Sequence, residues 1–222
     1  MSKVTKSIPR PMGDLFVLLR GDLVEACARW KIYKDLHVRN PRRVALLQET
    51  AAWLFHKLRL LLVDDVILSI ARFGDRRGFR NQDRQSLERL LETPDERHHS
   101  NLLADVRPRL EELKSQCKPF IVHRNNRVAH RDLAARQYPD INPLPGLPVD
   151  SVDSALGGIA DVMNVIEVYF TGGTMGYLEV IVPYHEDVDG LVWALKKAHE
   201  VDPLVDQLRL SAPVISVFRT PE

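Results

Sequence analysis

Apolar residues recur at intervals of three and four through most of the chain, the period of a helix rather than the alternation of a strand. Across 41–72 they fall at Val44, Leu47, Ala51, Leu54, Leu58, Leu61 and Leu68, with Asp65 in the same register. Asn40-Pro41 supplies an N-cap and a proline at the first helical position. Pro41 and Pro94 bracket 52 residues without proline, so the spacing predicts one long helix that Gly74 stops. About 31 residues at ~1.5 Å each make a rod of ~46 Å. Its nearly all-round apolar character near Leu58–Ile70 requires other helices to cover it.

The same period marks the flanking segments. Gly13 to about His37 carries Leu15, Leu18, Leu19, Leu23, Ala26 and Trp30 on one side. A loop at Arg72–Arg84 with Gly74 and Gly78 leads to a short helix at Gln85–Glu92. Thr93-Pro94-Asp95-Glu96 has the form of a helix start, with a Thr cap, a Pro and then acidic residues. That helix is expected to reach Cys117, with Leu102, Val106, Leu110 and Leu113 inward and Pro108 kinking it. Lys118-Pro119 then restarts the chain into a helix at 120–136. The proline-crowded stretch Tyr138–Pro148 is a connector, and Val149–Thr171 is a helix ended by Gly172-Gly173. Tyr177–Tyr184 (YLEVIVPY) alone has strand character, as a short strand or hairpin. Asp187–Val201 closes the main body with a helix. Trp30, Trp53 and Trp193 all fall at helical core positions. The fold class is therefore all-α, a helical bundle around a long central helix. Residues 1–12 read as an N-terminal tail, 13–201 as one bundle domain and 202–222 as a C-terminal tail.

Composition narrows the function classes. With 222 residues, 45% hydrophobic and 27% charged, the chain has an ordinary globular balance. Cys27 and Cys117 are isolated, which argues against a disulfide framework or a zinc site and for a reducing, cytoplasmic setting. The start, MSKVTKSIPRPMGD, lacks the apolar stretch of a secretory signal. Apolar runs are too short to span a membrane, which needs about 18–20 residues. No GxxxxGK[ST], GxGxxG, GxSxG or HExxH occurs, so neither a nucleotide cofactor nor a metal is expected. Net charge is +1, yet residues 137–222 hold 4 Lys/Arg against 13 Asp/Glu and the preceding part is correspondingly basic. A basic body attracts polyanions, and an acidic part can shield it; both charges can equally dress solvated helix faces.

Unusual chemistry concentrates in Val122-His123-Arg124-Asn125-Asn126-Arg127-Val128-Ala129-His130-Arg131-Asp132. A helix built for packing alone would show Lys/Glu outside and Leu inside. Here the polar side chains are Arg, Asn and His, which bind phosphate and move protons near neutral pH. On an ideal helix Asn126 and His130 share a face, as do Arg127 and His130. Arg124 and His130 point ~120° apart, a divergence that a second copy related by two-fold symmetry would cure. The alternative from the residues alone is a polar surface helix paired with the acidic C-terminal part. Arg72, Arg76, Arg77, Arg80 and Arg84, interleaved with Phe73 and Phe79, could track a phosphate backbone; the plainer reading is a solvated loop anchored by its phenylalanines. His98-His99 lies on an exposed helix and is not read as a metal site. Asp64-Asp65 is odd within so apolar a helix, and one of the two should point inward to a partner.

The run R-N-N-R-V-A-H-R-D resembles the R-x(4–6)-H signature of HEPN domains, here as Arg124-x5-His130 with a polar Asn125 after the arginine. The stretches HKLRLLLVDDVILSIARFGD (56–75), QSLERLLE (85–92) and AHRD look like the AbiU-type branch, named after an abortive-infection factor. The resemblance spans roughly residues 25–200. It implies a helical bundle that dimerises with its arginine–histidine helices facing across a cleft, and RNA cleavage without metal in catalytic members. Carried over by position, Arg124 would stabilise the phosphate and His130 would act as general acid or base. Asn125 would orient the substrate or the histidine, and Asn126 and Arg127 would join it in binding the substrate. Products would be a 2′,3′-cyclic phosphate and a 5′-OH. RNA would be the partner, with an antitoxin or a regulatory protein as a further one. Some members are non-catalytic modules that bind nucleotide, RNA or protein.

Overall fold

Asn40 accepts hydrogen bonds at Oδ1 from the backbone N–H groups of Arg42 and Arg43, and Pro41 occupies the first helical position. The long helix therefore begins where the sequence predicts. The computed structural model describes residues 7–75, 85–92, 94, 97–129, 147–181 and 187–201, with the backbone alone at 127–129 and 200–201. Among these residues six α-helices emerge: α1 (Met12–His37), α2 (Pro41–Phe73), α3 (Leu87–Leu91), α4 (Ser100–His123), α5 (Val149–Thr171) and α6 (Val188–Val201). A π-helix, Arg124–Ala129, continues α4. Among the described residues there is no strand. The fold is an all-α bundle.

α1 packs along α2, α2 along α4, and α4 along α5. Their shared core takes Phe16 and Leu23 from α1, Ile70 and Phe73 from α2, Val106, Cys117 and Phe120 from α4, and Leu156, Ile159 and Ile166 from α5. Ile8 and Met12 also sit in it. Each fully buried aliphatic or aromatic side chain contributes roughly 1.5–3 kcal/mol. A smaller second cluster joins Leu36, Leu47 and Phe55 to Val188 and Val192 of α6. Gly172, at φ 72°, ends α5 in the left-handed region that glycine enters without steric cost. No helix among the described residues is long and apolar enough to cross a membrane.

Several local expectations are overturned. α2 is broken at Ala51, whose φ −156° and ψ 68° are not helical. The neighbouring Thr50 donates from Oγ1 to the Leu46 carbonyl and meets His199 Nε2 of α6, so a side chain intrudes on the ladder there. α4 starts at Ser100 rather than at Thr93-Pro94. Its N-cap, His99, makes no side-chain cap bond and packs instead on Tyr169 and Phe170 at the end of α5. Thr93, Asp95 and Glu96 lie outside the described residues. The helix also runs through both Pro108 and Pro119 without the expected restart. Cys117 and Phe120, fully buried on either side of Pro119, hold that wall in place against the lost hydrogen bond. The expected strand is not formed at 177–181, which is a turn and irregular chain; 182–184 lie outside the described residues. Tyr177 there is buried and donates its hydroxyl to Glu167, while Ile181 is 92% exposed, and no partner strand lies among the described residues. Trp30 is buried as expected, but Trp53 and Trp193 are 66% and 63% exposed.

Candidate functional site

Gly74 sets the geometry of the site. It ends α2 against α4, where a Cβ on it would stand 2.5 Å from Cys117 Cβ. That contact is far inside van der Waals distance, so only glycine lets the two helices approach there. The next residue, Asp75, is thereby brought to the C-terminal end of α4. Arg124 Nη1 donates to Asp75 Oδ2 at 2.6 Å, and Arg124 Nε donates to Asn125 Oδ1 at 3.1 Å. The Arg124 and Asp75 side chains are 19% and 13% exposed, so the pair is largely shielded from water and held in one orientation.

Arg124 lines a cavity of about 600 Å³ together with Asp75, Gln85 and a face of α2 formed by Asp65, Leu68, Ser69 and Arg72. Asp65, Ser69 and Arg72 are spaced four and three apart, one stripe of the helix. The charges behind the stripe are paired: Asp65 Oδ2 lies 3.2 Å from Arg29 Nη1, and Arg72 Nη2 lies 3.5 Å from Asp22 Oδ2. Of Asp64 and Asp65, neither is buried; Asp65 pairs with Arg29 and lies on the wall of the same cavity as Arg124. Phe73 is buried and anchors the chain ahead of the arginine-rich loop. Arg76, Arg77, Phe79, Arg80 and Arg84 lie outside the described residues. The two thiols are not available as nucleophiles near neutral pH: burial pushes Cys27 up to about 11 and Cys117 up to about 12.

The signature residues divide as follows. Arg124, Asn125 and Asn126 follow one another on the π-helix, with Asn125 exposed and Asn126 half-buried. Arg127 shares that helix by its backbone. His130 lies outside the described residues. A π-helix bonds i to i+5, so the ~120° divergence expected for 3.6 residues per turn no longer applies as drawn. Such turns are rare and often sit at functional sites. Sequence reasoning missed Asp75, Ser69 and Gln85. The spacing of Asp65, Ser69 and Arg72 along one stripe was the available signal for Ser69, masked by reading Arg72 as part of a basic loop; Asp75 and Gln85 lie past the end of α2 and carry no such signal.

The family model HEPN_AbiU2, described as AbiU2, matches residues 11–191. That span runs from the start of α1 into α6 and contains the whole cavity. No curated protein and no solved structure matches the chain. The matched span covers most of the sequence, and the described elements are all helices; the chain belongs to the AbiU2 family of HEPN proteins.

Proposed function

We propose that the chain is a metal-independent HEPN endoribonuclease of phage defence by abortive infection, or a toxin of the same chemistry, that cleaves RNA with Arg124 and His130. The observation that carries this reading is Arg124 itself. Its guanidinium is oriented by Asp75 and Asn125 at the wall of a cavity wide enough for a nucleotide. A fixed guanidinium is the group suited to the charge that develops on a phosphorane, because it cannot lose its proton.

In the proposed step His130 takes the proton of the ribose 2′-OH. The 2′ oxygen attacks phosphorus, the P–O5′ bond breaks and the leaving oxygen gains a proton. Arg124 stabilises the phosphorane, and Asn125, Asn126 and Arg127 hold the RNA backbone. A second copy of the chain would supply the facing pair of residues, so the working form is a homodimer. The setting is cytoplasmic, with an antitoxin-like protein as the natural restraint.

One observation favours a second reading, a non-catalytic module that binds nucleotide, RNA or protein. The Asp75 carboxylate already neutralises part of the Arg124 charge at 2.6 Å. Incubation of the purified protein with total RNA in EDTA separates the two. New ends bearing a 2′,3′-cyclic phosphate and a 5′-OH are expected. Intact RNA favours the binding module, and an absolute Mg²⁺ requirement overturns the nuclease reading.

A further inference from the structure

The end of α2 remote from Arg124 holds a second recess that RNA cleavage leaves unused. It encloses about 300 Å³ next to the break at Ala51. His37, at the end of α1, and Gln48, His56 and Arg59 of α2 form its polar wall, over an apolar floor that includes Leu47 and Phe55. From Arg59 to Arg72 is thirteen residues of helix, on the order of 20 Å, so the two cavities are separate places.

Three observations converge on the chemistry of an occupant. Among the described residues, no Asp or Glu lines the recess and Arg59 has no carboxylate partner. Among these residues its cationic wall is thus uncompensated, in contrast to the paired charges around Arg124. His37 Nε2 is shielded from solvent and meets no hydrogen-bond partner among the described residues. A buried polar atom of that kind is costly unless something completes it. Burial first, and then the Arg59 charge, hold the His37 pKa below its ordinary 6.5, as expected where positive charge is uncompensated. Leu47 and Phe55 are buried, at 1% and 7% exposure, so the floor offers an apolar surface rather than more polar groups. The volume lies at the lower end of the range for ligand pockets, which excludes an extended polymer.

We propose that this recess binds a small organic anion, a carboxylate or phosphate monoester carried on an apolar or aromatic body. Its oxygens pair with the Arg59 fork and accept from the His37 and His56 rings, and its body rests on Leu47 and Phe55. Inorganic phosphate meets only half of these requirements.

The test uses the full chain, titrated separately with benzoate, uridine 5′-monophosphate and inorganic phosphate. Calorimetry gives affinity, and histidine ring resonances give the place of binding. One of the two organic anions is expected to bind 1:1 and to move the His37 and His56 signals. The preferred one identifies a carboxylate or a phosphate source. Inorganic phosphate is expected to bind at least about tenfold more weakly, and Arg59→Gln to weaken the organic anion by about tenfold or more. Arg59 is exposed, so that variant should fold, and an unchanged melting temperature checks it. Arg124→Ala should leave the affinity unchanged, which separates this site from product binding in the other cavity. The proposal is overturned if neither organic anion binds up to roughly 10 mM. It is equally overturned if phosphate alone binds as well, if Arg59→Gln has no effect, or if Arg124→Ala abolishes binding.

Discussion

In the last two turns of α2, Val66, Ile67, Ile70, Ala71 and Phe73 are buried; in the part before them Trp53, Leu54 and Leu61 face solvent, at 66%, 48% and 66% exposure. The two parts share one apolar spacing and differ in their cover. α1 and α4 enclose the first, and its charges at Asp65, Arg72 and Asp75 all have partners. The second touches α6 through a small cluster, is broken at Ala51, and leaves Arg59 without a carboxylate among the described residues. Periodicity specifies that a face is apolar. Whether that face is covered depends on where other helices land, and a one-dimensional pattern does not encode that.

The comparison breaks most visibly in stability. Ile70→Ala removes a fully buried side chain and should cost about 2–5 kcal/mol in urea unfolding. Leu61→Ala, by contrast, should change stability by no more than about 0.5 kcal/mol. Equal costs would mean that the N-terminal face is covered in solution. A smaller effect is expected from Asp75→Asn, which keeps the shape and removes the charge facing Arg124. It should destabilise by roughly 1–3 kcal/mol, because both side chains are largely buried. The same variant sharpens the functional choice. Slower cleavage with a raised KM identifies Asp75 as holding Arg124 in position, whereas tighter RNA binding without cleavage fits a module whose guanidinium Asp75 had neutralised.

The smallest effect is on alkaline stability. Burial raises Cys117 from 9.0 to about 12 and Cys27 from 9.0 to about 11. The unfolded chain therefore releases these protons at lower pH than the folded one. The stabilising contribution is complete below pH 9 and is lost as pH rises toward the folded values. The melting temperature should fall as pH rises from about 9 toward 11, less steeply in Cys117→Ala than in the natural chain. Parallel slopes would show that Cys117 does not contribute.

Much of the bundle was legible because its signals are local. Asn40-Pro41 starts α2 and Gly172 ends α5, and each acts on backbone groups within one turn. What escaped the sequence is tertiary. The Ala51 break is marked by neither glycine nor proline and coincides with contacts of Thr50, including one to His199 of α6. Pro119 reads as a stop, yet the buried Cys117 and Phe120 carry the helix past it. YLEVIVPY has strand composition, yet 177–181 has no strand to pair with among the described residues. At the site, Arg124 stood out by residue type, whereas Asp75 became visible only once Gly74 brought α2 against Cys117. A partner 49 positions away leaves no trace in spacing.

The most direct test of the account is the initial rate of RNA cleavage in EDTA by the purified chain, set beside Arg124→Ala and His130→Ala. The natural chain is expected to cleave without metal, and each variant to lose at least about a hundredfold in rate while retaining the helical circular dichroism of the bundle. Cleavage that survives both substitutions, or that appears only when Mg²⁺ is restored, would contradict it.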